Sequence, residues 1–268
     1  MKKFRYFFFL LLIEFQFAAS ATEPFRFVLM TDLHISSTNS QPSEHLTKAV
    51  ADVNELHGID FVIVAGDVAN LGDTVSLRLA KRMLQRLHMP FSVIPGNHDV
   101  KWYESGTSNF NTVFGEDRFE FRHKGIEFIG FTTAPLTNSG TGTIQPGDIQ
   151  WMKSVLDKNG NEKPVFVVTH YPLQTGDVDN WKIILDMLNK YNVQAVLGGH
   201  VHRNVLFNYA GIPGIITRST LRGKDRVGGY SIFSISDSIR VYEKKTGMPE
   251  EKWLTLPFEL TKQGQSNK

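Results

Sequence analysis

The chain has 268 residues, 41% apolar, 21% charged and 12% aromatic. That balance excludes a disordered or collagen-like chain and suffices for one large domain with a full core. It has no cysteine, and 29 Lys plus Arg stand against 27 Asp plus Glu, a formal charge of +2, which excludes disulfides, thiolate metal sites and a cysteine nucleophile.

Residues 1–21 read MKKFRYFFFLLLIEFQFAASA. Lys2, Lys3 and Arg5 precede an apolar run from Tyr6 to Phe17 and then small residues, the three-part layout of a secretory signal peptide. The run falls short of the roughly 20 residues of a spanning helix, and Glu14 interrupts it. The expectation is a cleaved segment 1–20, a domain over 21–260 and a polar tail 261–268, in a secreted or periplasmic protein with no stable membrane span. Removing 1–20 takes away Lys2, Lys3, Arg5 and Glu14 and leaves 26 charges of each sign. A neutral domain offers no broad surface for nucleic acid.

Five nearly continuous apolar runs follow: Phe25–Thr31, Ile59–Ala65, Phe91–Ile94, Val165–Thr169 and Val193–Leu197. Each reads as a strand buried on both faces. Amphipathic stretches at 43–57, 74–88, 147–158 and 179–191 lie between them, with Pro42 and Pro146 near helix starts. Alternation of strands and helices predicts parallel pairing with right-handed crossovers. Phe119–His123 and Ile126–Thr132 flank Lys124-Gly125 as a hairpin. Arg203–Tyr209, Ile212–Thr217, Gly229–Ser236 and Ser238–Lys244 read as strands without intervening helices. The simplest assembly is an α/β domain of two packed mixed sheets with helices outside.

The chemistry sits where the strands end. Asp32 and His34 follow the first run, Asp67 the second, Asn97, His98 and Asp99 the third, His170 the fourth, and His200 and His202 the fifth. In open α/β sheets the carboxyl edge is where ligands bind. One such residue alone is ordinary turn chemistry, but five strands all ending in nitrogen or oxygen ligands point to a metal site. Residues i and i+2 of an extended segment share a face, so Asp32 pairs with His34 and His200 with His202. Gly66, Gly96, Gly198 and Gly199 sit at these turns, where positive φ or close backbone approach is needed.

The series Asp32-Leu-His34, Gly66-Asp67, Gly96-Asn97-His98-Asp99, His170 and Gly199-His200-Val-His202 resembles the calcineurin-like metallophosphoesterase superfamily, through residues 25–245. The resemblance implies a four-layer αββα sandwich and a two-metal site. Asp32, His34, Asp67 and His202 would hold one ion, and Asp67, Asn97, His170 and His200 the other, with Asp67 bridging. Imidazoles, carboxylates and an amide oxygen suit divalent Mn, Fe or Zn.

The implied reaction is hydrolysis of a small soluble phosphomonoester or phosphodiester by a hydroxide shared between the ions. The resemblance makes His98 the general acid for the leaving oxygen, with Asp99 as a partner that orients a ligand. Position 70 is Asn, where purple acid phosphatases have an iron-binding tyrosine, so two divalent ions are expected. The reading GNHD, without a GDxxDRG match, argues against a phosphoprotein phosphatase.

Substrate contacts are expected from Asn97, His98, Tyr171 and Arg222, Tyr171 either facing substrate or packing. The segments 101–115, with Trp102, Tyr103, Phe110 and Phe114, and 134–145 are expected at the rim. Those aromatics either stack on a base or sugar or seal the core. Arg218, Arg222, Lys224 and Arg226 form a local basic cluster that holds a substrate phosphate or merely connects strands. The competing functions are a nuclease and a non-catalytic scaffold that binds another protein through the metal face.

Overall fold

Alternate residues of single strands go to opposite sides of a sheet, and this parity builds two separate cores. The structure is a computed structural model, which describes residues 23–102, 106–135, 139–223 and 227–260. The expected signal peptide and polar tail, Tyr103, Lys224 and Arg226 lie outside the described residues. Strand β1 (Phe25–Met30) sends Phe25, Phe27 and Leu29 inward between the sheets and Val28 and Met30 outward. Strand β2 (Ile59–Ala65) does the same with Phe61, Ile63 and Ala65 against Val62 and Val64.

The remaining elements in chain order are α1 (Ser40–Asn54), α2 (Thr74–Leu84), β3 (Phe91–Ile94), α3 (Asn97–Val100), α4 (Ser108–Phe114), β4 (Arg118–His123), β5 (Ile126–Phe131), α5 (Pro146–Asn159), β6 (Val165–Val168), α6 (Trp181–Leu188), β7 (Val193–Gly198), β8 (Val205–Tyr209), β9 (Ile212–Ile216), β10 (Gly229–Ile235), β11 (Ser238–Lys245) and β12 (Glu250–Pro257). One six-stranded sheet runs β12-β11-β10-β1-β2-β3 and the other β4-β5-β6-β7-β9-β8, both mixed. Side chains of α1, α2 and α4 cover the outer face of the first sheet, and those of α5 and α6 the outer face of the second. The order is helix, sheet, sheet, helix, the four layers expected. Among the described residues, no helix is long and apolar enough to cross a membrane.

Aromatic rings lock the inter-sheet core. Phe27 stacks on Phe61 at 5.1 Å and on Phe233 at 4.8 Å, and meets Phe128 of the other sheet edge-on at 5.5 Å. The expected hairpin is β4–β5, with positive φ at Lys124 (47°) and Gly125 (83°), as a two-residue turn between twisted strands needs.

Two elements go beyond the sequence reading. The segment 101–115 contains α4, whose Phe110 is fully buried with Phe114 packed on it, so both seal the core. Lys81 Nζ donates to the Val113 carbonyl oxygen and satisfies a helix end. Edge strand β12 extends the first sheet and is tied back by Arg26, which donates to both Glu250 carboxylate oxygens at 2.7 Å.

Candidate metal centre

The first sheet delivers Asp32 and His34 after β1, Asp67 after β2 and Asn97 after β3. The second delivers His170 after β6 and His200 and His202 after β7. Five of these residues leave their strands in the left-handed region: Asp32 (φ 55°), His34 (47°), Asp67 (53°), His200 (67°) and His202 (56°). Side chains rarely adopt that backbone, and such strain gathers at functional sites. Gly66 shares the conformation (φ 86°), and a Cβ there would stand 2.7 Å from His170 Nδ1. The other three strand-end glycines instead allow close approach.

Backbone contacts aim the ligands. Asp32 Oδ2 accepts from Thr31 Oγ1 (2.9 Å) and His200 N (3.1 Å), which turns Oδ1 inward. Asp67 Oδ1 accepts from His98 N at 2.8 Å, which frees Oδ2. His170 donates Nδ1–H to the Ala65 carbonyl oxygen at 2.8 Å, so its Nε2 faces the site as a ligand should.

The inward atoms converge. Asp32 Oδ1 lies 3.1 Å from His202 Nε2, 3.8 Å from His34 Nε2 and 4.0 Å from His170 Nε2. Asp67 Oδ2 lies 3.2 Å from His170 Nε2 and 3.7 Å from His34 Nε2. His34 and His202 face each other Nε2 to Nε2 at 3.3 Å, and Asn97 Oδ1 is 3.1 Å from His170 Nε2. Ligand atoms about 2.0–2.2 Å from a shared ion are themselves separated by roughly 3–3.5 Å, so the spacing is that of ligands around a cation. The donor atoms of Asp32, His34 and His202 lie mutually within 4.8 Å, as do those of Asp67, His170 and His200. His98 forms a third such group with His34 and Asp67.

The residues fit divalent ions on a further ground. Asp32 Oδ1 is buried and, among the described residues, has no hydrogen-bond partner. An ionised oxygen left so is costly unless a cation compensates it. Burial works against ionisation of Asp32 and Asp67, but the surrounding imidazoles, His202 and His170 for Asp32 and His170 and His34 for Asp67, hold both carboxyls low. Burial, against the pull of Asp67 and Asp32, drops His34 to about 4; burial and then the neighbouring His170 bring His200 to about 4. Two carboxylates are thus ionised and the imidazoles of His34 and His200 neutral, as ligation requires, whereas His202, raised by Asp32, and His170 would give up a proton to a bound ion. Burial disfavours charged His170, but Asp67 outweighs it and lifts the group to about 9.

The other expected site residues divide. His98 is half-buried, meets His34 edge-on at 4.6 Å and lines the cavity over the metal face. Asp99 is fully buried. Its Oδ1 accepts from Ala69 N (2.7 Å) and its Oδ2 from Gly96 N (2.8 Å) and Val68 N (3.0 Å). It therefore braces the Asp67 and Asn97 turns and does not line the cavity. Burial, then the Asp67 charge, push it up to about 7.

Tyr171 is a correction as a substrate contact. It is 2% exposed, packs at 4.2 Å on His200 and donates its hydroxyl to the Gly140 carbonyl oxygen at 3.0 Å. The basic cluster is not one patch either. Arg218 is buried and paired with Glu243, whereas Arg222 lines the cavity. Trp102 stays half-exposed, 5.9 Å from His98, and the segment 134–145 supplies no cavity wall among the described residues.

The cavity measures about 570 Å³. One side is His34, Asp67, His98, His200 and His202; another, which sequence reasoning missed, is Ser36, Thr38, Asn39, Gln41 and His45 at the start of α1. Asp177, also missed, stands 3.9 Å from His200 Nε2. Its only sequence signal is a polar turn.

A family model for calcineurin-like phosphoesterases matches residues 25–204. The chain is 30% identical over 164 residues to a probable glycerophosphodiester phosphodiesterase GpdQ of Arcobacter nitrofigilis, covering 54% of this chain and 57% of that protein, so the match spans little over half of that relative's length. It is 22% identical over 228 residues to a probable cyclic nucleotide phosphodiesterase of Vesicomyosocius okutanii, 79% of this chain and 94% of that one. In fold it is similar to the purple acid phosphatase PPD1 of yellow lupin seeds, with a TM-score of 0.65 at 14% identity over 89% of this chain and 54% of that one.

Proposed function

The chain belongs to the calcineurin-like phosphoesterase family, and from that premise we propose that this hydrolase is an exported phosphodiesterase of small soluble diesters, working with two divalent ions. The observation that supports it most is the convergence of Asp32 Oδ1 and Asp67 Oδ2 on facing imidazole nitrogens. Asp32, His34, Asp67 and His202 would hold one ion and Asp67, Asn97, His170 and His200 the other. The ions, Mn, Fe or Zn, supply Lewis acidity and an activated water.

The protein's own part is positioning and proton supply. In the reaction a water oxygen forms a new bond to phosphorus, the bond to one ester oxygen breaks, and that oxygen leaves as an alcohol. His98 gives it the proton from Nε2, because Nδ1 is held by the Asn70 carbonyl oxygen at 2.8 Å. Asp99 keeps the Asp67 and Asn97 turns rigid while charge shifts. The diester preference is supported by the phosphodiesterase relatives and by a cavity larger than one phosphoryl group. Export is supported by the layout of residues 1–21.

The test is hydrolysis of bis-p-nitrophenyl phosphate and p-nitrophenyl phosphate by protein supplied with Mn, Zn or Fe. The diester should be cleaved faster. No turnover with either ester and any of the metals would remove the enzymatic reading, and a faster monoester would remove the diester preference.

A further inference from the structure

The cavity continues past the metal face into a wall of different chemistry. Ser36, Thr38, Asn39 and Gln41 are neutral donors and acceptors, and beyond them come His45 and Arg222. Among the described residues, Asp67 is the only carboxylate lining this cavity. His45 also borders an adjoining cavity of about 220 Å³, with Lys48, Val227, Gly228 and Thr246. A volume near 570 Å³ is in the range that encloses a whole small ligand.

His45 is set as a donor. The Arg222 backbone N–H donates to its Nδ1 at 3.3 Å, so the neutral ring carries its proton on Nε2. His45 shares one cavity wall with Arg222 and the other with Lys48, and partial burial, then the positive charges of Arg222 and Lys48, lower its proton affinity against a smaller opposing pull from Glu44. Among the described residues, no carboxylate lies within ion-pair distance of Lys48 or Arg222. A fork-shaped guanidinium, an ammonium and an imidazole N–H suit a phosphate group.

We propose that His45, Lys48 and Arg222 form a second phosphate subsite, so that the preferred substrate is a phosphodiester whose alcohol bears hydroxyls and, at its far end, a further phosphate. The hydroxyl-bearing spacer lies along Ser36, Thr38, Asn39 and Gln41. This rests on the phosphodiesterase reading and adds the substrate class to it.

The test uses two esters that differ in one group, uridine 5′-(4-nitrophenyl phosphate) and the same compound phosphorylated at the 3′ oxygen, both of which keep a free 2′ hydroxyl. Both release 4-nitrophenolate when the diester is cut. In metal-loaded protein the 3′-phosphorylated ester should have a KM about tenfold lower, the scale of one or two charge-assisted contacts. Arg222→Gln and, separately, Lys48→Gln should each shrink that KM ratio, and raised salt should shrink it in the unaltered protein. Arg222→Lys should recover part of it. Equal KM values in the unaltered protein, or a ratio untouched by both Gln variants, would overturn the subsite while bis-p-nitrophenyl phosphate is still cleaved. Loss of turnover on every ester would instead strike the phosphodiesterase reading, and the subsite with it.

Discussion

The imidazole of His98 is tethered through Nδ1 to the carbonyl oxygen of Asn70 at 2.8 Å, while its backbone N–H holds Asp67 Oδ1 at the same distance. One residue thereby fixes a ligand with its main chain and aims a proton with its side chain. Replacing the side chain leaves the main-chain contact in place. His98→Ala should reduce turnover roughly a hundredfold or more on a diester with an alkyl leaving group. The loss should be much smaller with p-nitrophenolate, which leaves without a proton. Steady-state kinetics on both esters decides, and equal losses would reassign His98 to substrate binding.

Metal removal should destabilise the fold, because Asp32 Oδ1 is buried without a hydrogen-bond partner among the described residues. At free ion one hundred times its dissociation constant, binding adds about 2.7 kcal/mol. For a domain of this size each kcal/mol moves Tm by about 2–4 °C. Chelation should therefore lower Tm by roughly 5–10 °C for each ion removed, and Mn or Zn should restore it. A Tm indifferent to chelator and metal would contradict the site.

Asp99 accepts three buried backbone N–H groups. Asp99→Ala leaves all three without it, at about 1–3 kcal/mol each. A loss of at least about 3 kcal/mol is expected in urea unfolding, together with fewer ions retained per chain after dialysis. Asp99→Asn keeps the shape and should lose less than half as much.

Phe27 stands between two stacked rings of its own sheet and two edge-on rings of the other, Phe128 and Phe166. Phe27→Ala should cost about 3–5 kcal/mol, as truncation of a large buried aromatic does. Chemical denaturation measures it. A loss below 1 kcal/mol would mean that the two sheets collapse onto the gap.

The metal face was legible because apolar runs stop abruptly at Asp and His, and strands buried on both faces leave few other places for such residues. What the sequence left open was local. Phe110 and Phe114 look the same in sequence whether they cover a core or a ligand, and only the packing of α4 against α2 decides. Tyr171 follows a ligand directly, yet its ring lies beneath His200. The wall from Ser36 to His45 gave no signal, since short polar residues before a helix are ordinary capping chemistry, and Asn39 does cap α1. Edge strand β12 opens with three consecutive charged residues, Glu250-Glu251-Lys252, and its apolar residues Trp253, Leu254 and Leu256 stay half-exposed, a weak pattern beside the inner strands.

The seven proposed ligands come from both sheets, four from one and three from the other. With ions bound, the centre would work as a rivet through the two layers. Any breathing that slides one layer over its neighbour would loosen the grip on the cations, so their escape rate would serve as a clock for the first parting of the sandwich.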